Sequence, residues 1–207
     1  MQKFFVIALL VGLLLGCSQR IEKSSDDEPA SDESSSESAE TVSDSQFAAM
    51  CKEVGVKRLH VPKSTISDAG LESVKALSQI RFLTLPNCKI TDSGLVSLRG
   101  LANLRSLQLG GNSISDLGLE HIGKLTQLRT LGLASTSVSD AGLVRISNLE
   151  KLEWLYLDDT SVTDAGLKHL AGLKELRFLS LVGTRVTDQG VSSLHRLLPS
   201  LRIRIGK

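Results

Sequence analysis

Asp68, Asp92, Asp116, Asp140, Asp164 and Asp188 recur every 24 residues, each inside the frame [Ile/Val]-[Ser/Thr]-Asp-x-Gly. A column of carboxylates beside hydroxyls is the raw material of a calcium site or of acid–base chemistry. Calcium takes about six to eight converging oxygens. One carboxylate per period brings too few together, so the spacing argues against a metal. The histidines add nothing to the column. His60 and His195 stand alone, and His121 and His169 share a frame but lie two periods, about 10 Å, apart. No Ser-His-Asp grouping, Cys-x-x-Cys pair or phosphate-cradling glycine loop occurs. Neither an enzyme, a cofactor nor a small-molecule substrate is therefore expected. The three cysteines are too few for a disulfide framework. Cys51 and Cys88 read as buried free thiols, with a disulfide between them as the alternative.

A repeating element must position these residues. The stretch Leu152–Glu175, LEWLYLDDTSVTDAGLKHLAGLKE, opens as L-x-x-L-x-L and closes with Leu167, Leu170 and Leu173 at intervals of three. Near-alternation giving way to a helical period marks a strand, a turn and a short helix. Such a unit cannot bury its own leucines, so copies must stack on it. Six copies follow one another without insertion. Strands are expected around Leu59/Val61, Leu83/Leu85, Leu107/Leu109, Leu131/Leu133, Leu155/Leu157, Leu179/Leu181 and Ile203/Ile205, in one parallel sheet with right-handed crossovers. Each Ser/Thr-Asp pair is placed to cap its own helix, and each glycine lets neighbouring helices approach without a Cβ.

The ends depart from the pattern. Residues 46–55 read as a helical cap with Ser45 as N-cap and Phe47, Met50, Cys51 and Val54 on one face, lacking both strand and turn signal. After the last copy, Leu197–Leu201 carries one extra residue. Arg202, Arg204 and Lys207 then flank the final strand, where charge blunts a sheet edge.

The frame L-x-x-L-x-L-x-x-[T/N/C/S]-x-[I/V] resembles leucine-rich repeats. Its [S/T]-D-x-G-L continuation is similar to the subtype common in bacterial repeat proteins and in eukaryotic F-box-type ones. The resemblance spans residues 56–205 and recurs in phase. It implies an α/β solenoid: a right-handed βα superhelix with a parallel sheet on the concave face and short helices on the convex face. It also implies that a protein or peptide binds the concave face. Ser64, Cys88, Asn112, Thr136, Thr160 and Thr184 take the family's asparagine-ladder position, where a side chain meets backbone of the neighbouring turn. Cys88, a weak hydrogen bonder, marks a soft spot there.

The concave columns then run Arg58, Phe82, Ser106, Thr130, Trp154, Phe178 and His60, Thr84, Gln108, Gly132, Tyr156, Ser180. Neighbouring strands lie about 4.8 Å apart. Trp154 and Phe178 should therefore touch, with Tyr156 on the same face and Asp158 and Asp159 at its margin. A cross-strand aromatic pair stabilises a sheet by about 0.2–1 kcal/mol with no ligand at all. Against that, aromatics are only 3% of the chain, its one Trp and one Tyr both fall here, and both types are common binding anchors. The expected partner site is Trp154, Tyr156 and Phe178, with Asp158, Phe82, Arg81 and Arg105 beside them. A further column reads Lys57, Arg81, Arg105, Arg129, Glu153, Arg177, Arg202. Glu153 is placed to pair with Arg129 and Arg177. Lys57, Arg81 and Arg105 have no acid in their column, so they either fan into water or face an acidic partner. The chain's own acidic segment is one candidate for that partner.

That segment lies near the start. The net charge of +1 hides an asymmetry, because residues 18–46 set Arg20 and Lys23 against nine carboxylates. So polar a stretch cannot offset its ordering entropy and should form a disordered, extended linker over 17–45. Before it, Lys3 and the apolar run Phe4–Leu15 read as an export signal over 1–16, too short for a membrane span of about 20 residues. The run ends Leu14-Leu15-Gly16-Cys17, which resembles the lipobox of bacterial lipoproteins. The resemblance implies a lipid-bearing Cys17 as the first mature residue and anchoring to a bacterial envelope membrane, periplasmic or surface-facing. An ordinary secretory signal or an uncleaved anchor is the alternative. Nucleic acid is not an expected partner of an exported chain. The whole reads as a membrane-tethered, non-catalytic binding module of residues 46–207, the alternative being an envelope spacer or self-associating element.

Overall fold

The computed structural model describes residues 41–61 and 64–206; the expected export signal, Cys17 and the acidic segment up to residue 40 lie outside them. Seven three-residue strands form one parallel sheet in sequence order: β1 Arg58–His60, β2 Phe82–Thr84, β3 Ser106–Gln108, β4 Thr130–Gly132, β5 Trp154–Tyr156, β6 Phe178–Ser180 and β7 Arg202–Arg204. Each pairs with the next at a shift of one period, so Leu59, Leu83, Leu107, Leu131, Leu155, Leu179 and Ile203 form one row. The row faces inward. Leu59 is 1% exposed and the next five leucines are at 0%. Their flanking residues point the other way, as alternation along a strand requires. The expected solenoid is present.

On the other side lie short helices: α1 Asp44–Cys51, α2 Asp68–Leu71, α3 Leu119–Ile122, α4 Asp140–Ile146, α5 Asp164–Leu167 and α6 Asp188–Leu197, with 3₁₀ turns at Glu72–Ala76, Gly94–Leu98 and Lys168–Leu170. Where alanine follows the repeated aspartate (Ala69, Ala141, Ala165), an α-turn starts at that aspartate. Where Ser93 or Leu117 follows, it does not. Asp44 and Asp188 also start α-helices, with Ser45 and Gln189 after them, so the residue after the aspartate does not by itself decide the helix type.

The aspartates do something the sequence reading did not anticipate. In the Asp-x-Gly copies at Asp68, Asp140 and Asp164, the preceding hydroxyl caps its own helix: Ser67, Ser139 and Thr163 accept from Ala69, Ala141 and Ala165 N–H. The carboxylate is thereby left for the next repeat. Asp116 Oδ1 accepts from Ser139 N–H (2.7 Å) and its Oδ2 from the Ser139 hydroxyl (2.6 Å). The same two-point clamp joins Asp68 to Thr91, Asp92 to Ser115, Asp140 to Thr163 and Asp164 to Thr187. The glycine two residues after each aspartate follows from this. A Cβ on Gly94, Gly118, Gly142, Gly166 or Gly190 would run into the clamping carboxylate of the repeat before it.

The expected cap also differs from the observed one. Its helix is Asp44–Cys51, not 46–55, with Ser43 as N-cap in place of Ser45, so the end of the expected linker is ordered. Val54 lies past the helix and is fully exposed. A turn signal is present after all, because Val42-Ser43-Asp44 stands one period before Ile66-Ser67-Asp68. Asp44 clamps Ser67 like its successors (2.8 and 2.5 Å), and Val42 C=O accepts from Thr65 N–H at 3.1 Å. Only the glycine is replaced. Gln46 takes its place and completes a capping box with Ser43. One period earlier stands Arg20, not an aspartate that would need the space. Phe47 and Cys51 are buried, closing the first repeat's interior.

The ladder position is also only partly as expected. Asn112 alone bridges turns fully: its Nδ2 donates to Leu85 and Leu109 C=O, and its Oδ1 accepts from Cys88 and Ile90 N–H. Thr136, Thr160 and Thr184 bond inside their own turn, to Leu133, Leu157 and Leu181 C=O. A single hydroxyl is too short to span two turns. Cys88 Sγ meets Ser64 Oγ at 3.0 Å, and both Cys51 and Cys88 are free thiols.

Burial pushes the Cys51 thiol from its ordinary 9.0 up to about 12, and raises that of Cys88. Both should resist alkylation until the fold opens. Cys51 also makes stability pH-dependent. The unfolded chain ionises first as pH climbs past 9.0, so the contribution is complete below that value and is lost towards about 12. In urea titrations, Cys51→Ala should flatten that part of the alkaline decline.

Candidate functional site

Each strand's outer residues stand on the open face of the sheet, the side expected to be concave. Register brings Trp154 opposite Phe178, and Gly132 opposite Tyr156. The Trp154 and Phe178 rings lie 5.8 Å apart at 38°, and those of Tyr156 and Phe178 lie 5.6 Å apart at 50°. These are the tilted geometries that aromatic quadrupoles favour. Phe178 is thus the hub, half-buried between two neighbours. Trp154 is 41% exposed, so much of the indole remains open to solvent after the ring contacts are made. Gly132 leaves the strand beside Tyr156 without a side chain, and Gln108 reaches over it.

Asp158, expected at the patch margin, is held by the protein itself. Its Oδ1 accepts from the Ser180 hydroxyl (2.5 Å) and from Val182 N–H (2.9 Å), tying β5 to the turn after β6. Asp159 follows in a left-handed turn with φ 53°. Phe82 stands three strands from Trp154, apart from the aromatic cluster, and the Arg58 guanidinium lies 4.3 Å above its ring. Glu153 pairs with Arg129. Among the described residues it has no ion pair with Arg177. Lys57, Arg81 and Arg105 are exposed in their column, again with no carboxylate partner among the described residues.

The placement of Arg202 is corrected. It pairs with Phe178, and Arg204 with Ser180. Arg202 therefore belongs to the Trp154–Phe178 row and not to the Arg177 column. The extra residue expected at Leu197–Leu201 is not there: Phe178 to Arg202 is the same 24-residue shift as between the other strands, and Leu201 stands in the place of Arg177, which hides the register from a count of leucines. On the helix side, His121 Nδ1 accepts from the Arg99 guanidinium. Burial and then the charge of Arg99 lower its pKa. Among the described residues no three His, Cys, Asp or Glu are placed to hold a metal ion.

A family model described as a leucine-rich repeat region matches residues 56–206. No curated protein sequence matches the chain. Among solved structures, a leucine-rich repeat protein of Leptospira interrogans superposes with a TM-score of 0.60 at 22% identity, covering 76% of this chain and 38% of that one. An internalin of Listeria monocytogenes gives 0.54 at 22% identity, covering 80% and 50%. A plant peptide hormone receptor in complex with RGF2 gives 0.51 at 21% identity, covering 78% and 26%. This chain thus spans half or less of each of these proteins. At such identities the likeness is one of fold. With stacked strands, their clamped turns and the matched region in agreement, the chain belongs to the leucine-rich repeat family, whose domains are generally protein-binding modules.

Proposed function

We propose that this protein is a lipid-anchored binding module whose open sheet face takes a protein or peptide at Trp154, Tyr156 and Phe178. The observation that carries the reading is the indole of Trp154. It stays 41% exposed although the Phe178 ring packs against it from the next strand. Large aromatics that stay open on a rigid sheet are the residue types that dominate binding energy. The plant receptor, a structural neighbour named as a complex with RGF2, gives one case of this fold with a bound partner. Lipid at Cys17 fixes the module to an envelope membrane, two or more acyl chains being needed for a stable hold, and the acidic linker gives it reach.

Alanine at both Trp154 and Phe178 should abolish a co-purifying partner while leaving the far-UV spectrum unchanged. Unchanged co-purification would favour the passive spacer. Labelled palmitate should enter the wild-type chain and not Cys17→Ser. Label persisting in that variant would remove the anchor.

A further inference from the structure

We infer that the partner is an extended acidic segment of another protein, with carboxylates seated on two arginine groups that flank the aromatic patch; this rests on the reading that the face binds a protein or peptide. One group is Arg58, Arg81 and Arg105, at the β1–β3 end. The other is Arg177, Arg202 and Arg204, at the β6–β7 end. All six are exposed, and among the described residues none is ion-paired with a carboxylate. Of the acids at the patch, Glu153 is engaged by Arg129 and Asp158 by Ser180 and Val182, which leaves the exposed Asp159. The six arginines thus outnumber the one uncommitted carboxylate beside them.

The arrangement is selective in three ways. Arg202 and Arg204 project from one strand to the same face, about 7 Å apart, a separation at which cations repel and a carboxylate between them is favoured. The Arg58 guanidinium sits 4.3 Å over the Phe82 ring, a contact that uses none of its N–H donors on a carboxylate and leaves them free for one from a partner. Between the two groups lie Ser106, Gln108, Thr130 and Gly132, all uncharged, and then the aromatic patch. From β1 to β7 there are six strand steps, about 29 Å in all or roughly nine extended residues. The face therefore suits a strand-like segment with acids towards its ends and an apolar side chain near one of them. A nucleic acid brings a phosphate at every nucleotide and would need cations across the middle strands. There Arg129 is the cation, and Glu153 already neutralises it.

Trp154 is the chain's one tryptophan, so its emission reports occupancy directly. The full chain is titrated with three probes: a synthetic peptide with Glu and Asp at both ends and a Leu-Phe-Leu run beside one of them, the same peptide with Gln and Asn for the acids, and oligothymidylate of matched length. The acidic peptide should change Trp154 emission saturably. Its Kd should rise about tenfold between roughly 50 and 300 mM salt, and about tenfold again in the double variant R202E/R204E, which keeps its far-UV spectrum. If the Gln/Asn peptide binds as tightly and without salt dependence, the acidic partner is wrong while the binding face stands. Tighter binding of oligothymidylate would overturn the inference in favour of nucleic acid. No response to either peptide overturns it too, and the face itself is then judged by the co-purification test.

Discussion

Leu131→Ala lowers the stability of the repeat domain by about 2–5 kcal/mol. Leu131 is fully buried at the centre of β4, with Leu107 and Leu155 as its row neighbours. Neither neighbour can collapse into the gap without breaking register with the strand beyond it, which holds the cost near the top of that range. In a domain of this size the loss appears as about 2–4 °C in Tm for each kcal/mol. The same truncation at Ile203, half-buried in β7, should cost less than half as much. Urea unfolding followed by Trp154 emission measures both. Stacked repeats are stabilised chiefly through nearest neighbours. A defect at β4 therefore weakens contacts on both of its sides, whereas one at β7 weakens contacts on one. Equal costs at the two positions would argue against a shared interior.

The second large effect is a coupling. Asp116→Ala leaves the N–H and hydroxyl of Ser139 without their acceptor, a part-buried loss of about 1–3 kcal/mol. Gly142→Ala alone should also destabilise, by a similar 1–3 kcal/mol or so. Its Cβ would overlap the Asp116 carboxylate and press on Leu119 Cδ1 at 2.8 Å and Val138 Cγ1 at 3.2 Å. In the double variant the methyl enters space that the carboxylate has vacated. The combined cost should then fall short of the sum by more than about 0.5 kcal/mol, the sign of residues that share one site. Strict additivity would mean that glycine is needed for some other reason.

The leucine row, the order of the strands and the meeting of Trp154 with Phe178 were all legible in the sequence, because period and alternation fix which side chains share a face. What the period could not decide is where a polar side chain reaches when two partners are within range. Asp116 can satisfy its own helix or the next turn. It takes the next turn because the hydroxyl just before it, Ser115, already accepts from Leu117 N–H in its own turn. The motif at Val42-Ser43-Asp44 was visible as a seventh phase of the array, but Gln46 in the glycine place obscured it. Helix type likewise escaped, since at three to ten residues these helices are too short for propensity to overrule packing. The hold on Asp158 depends on a neighbouring strand, and no single repeat contains it, whereas a strict count of 24 from Phe178 places Arg202 in its row.

The reading of the open face meets its most direct trial in intact cells, with a photoreactive residue in place of Tyr156 and, separately, of Val144, which is exposed on the helix side. The account predicts a discrete adduct from position 156 that disappears when Trp154→Ala is added, and none from position 144. Adducts of the same size from both positions, or none from position 156, would contradict it.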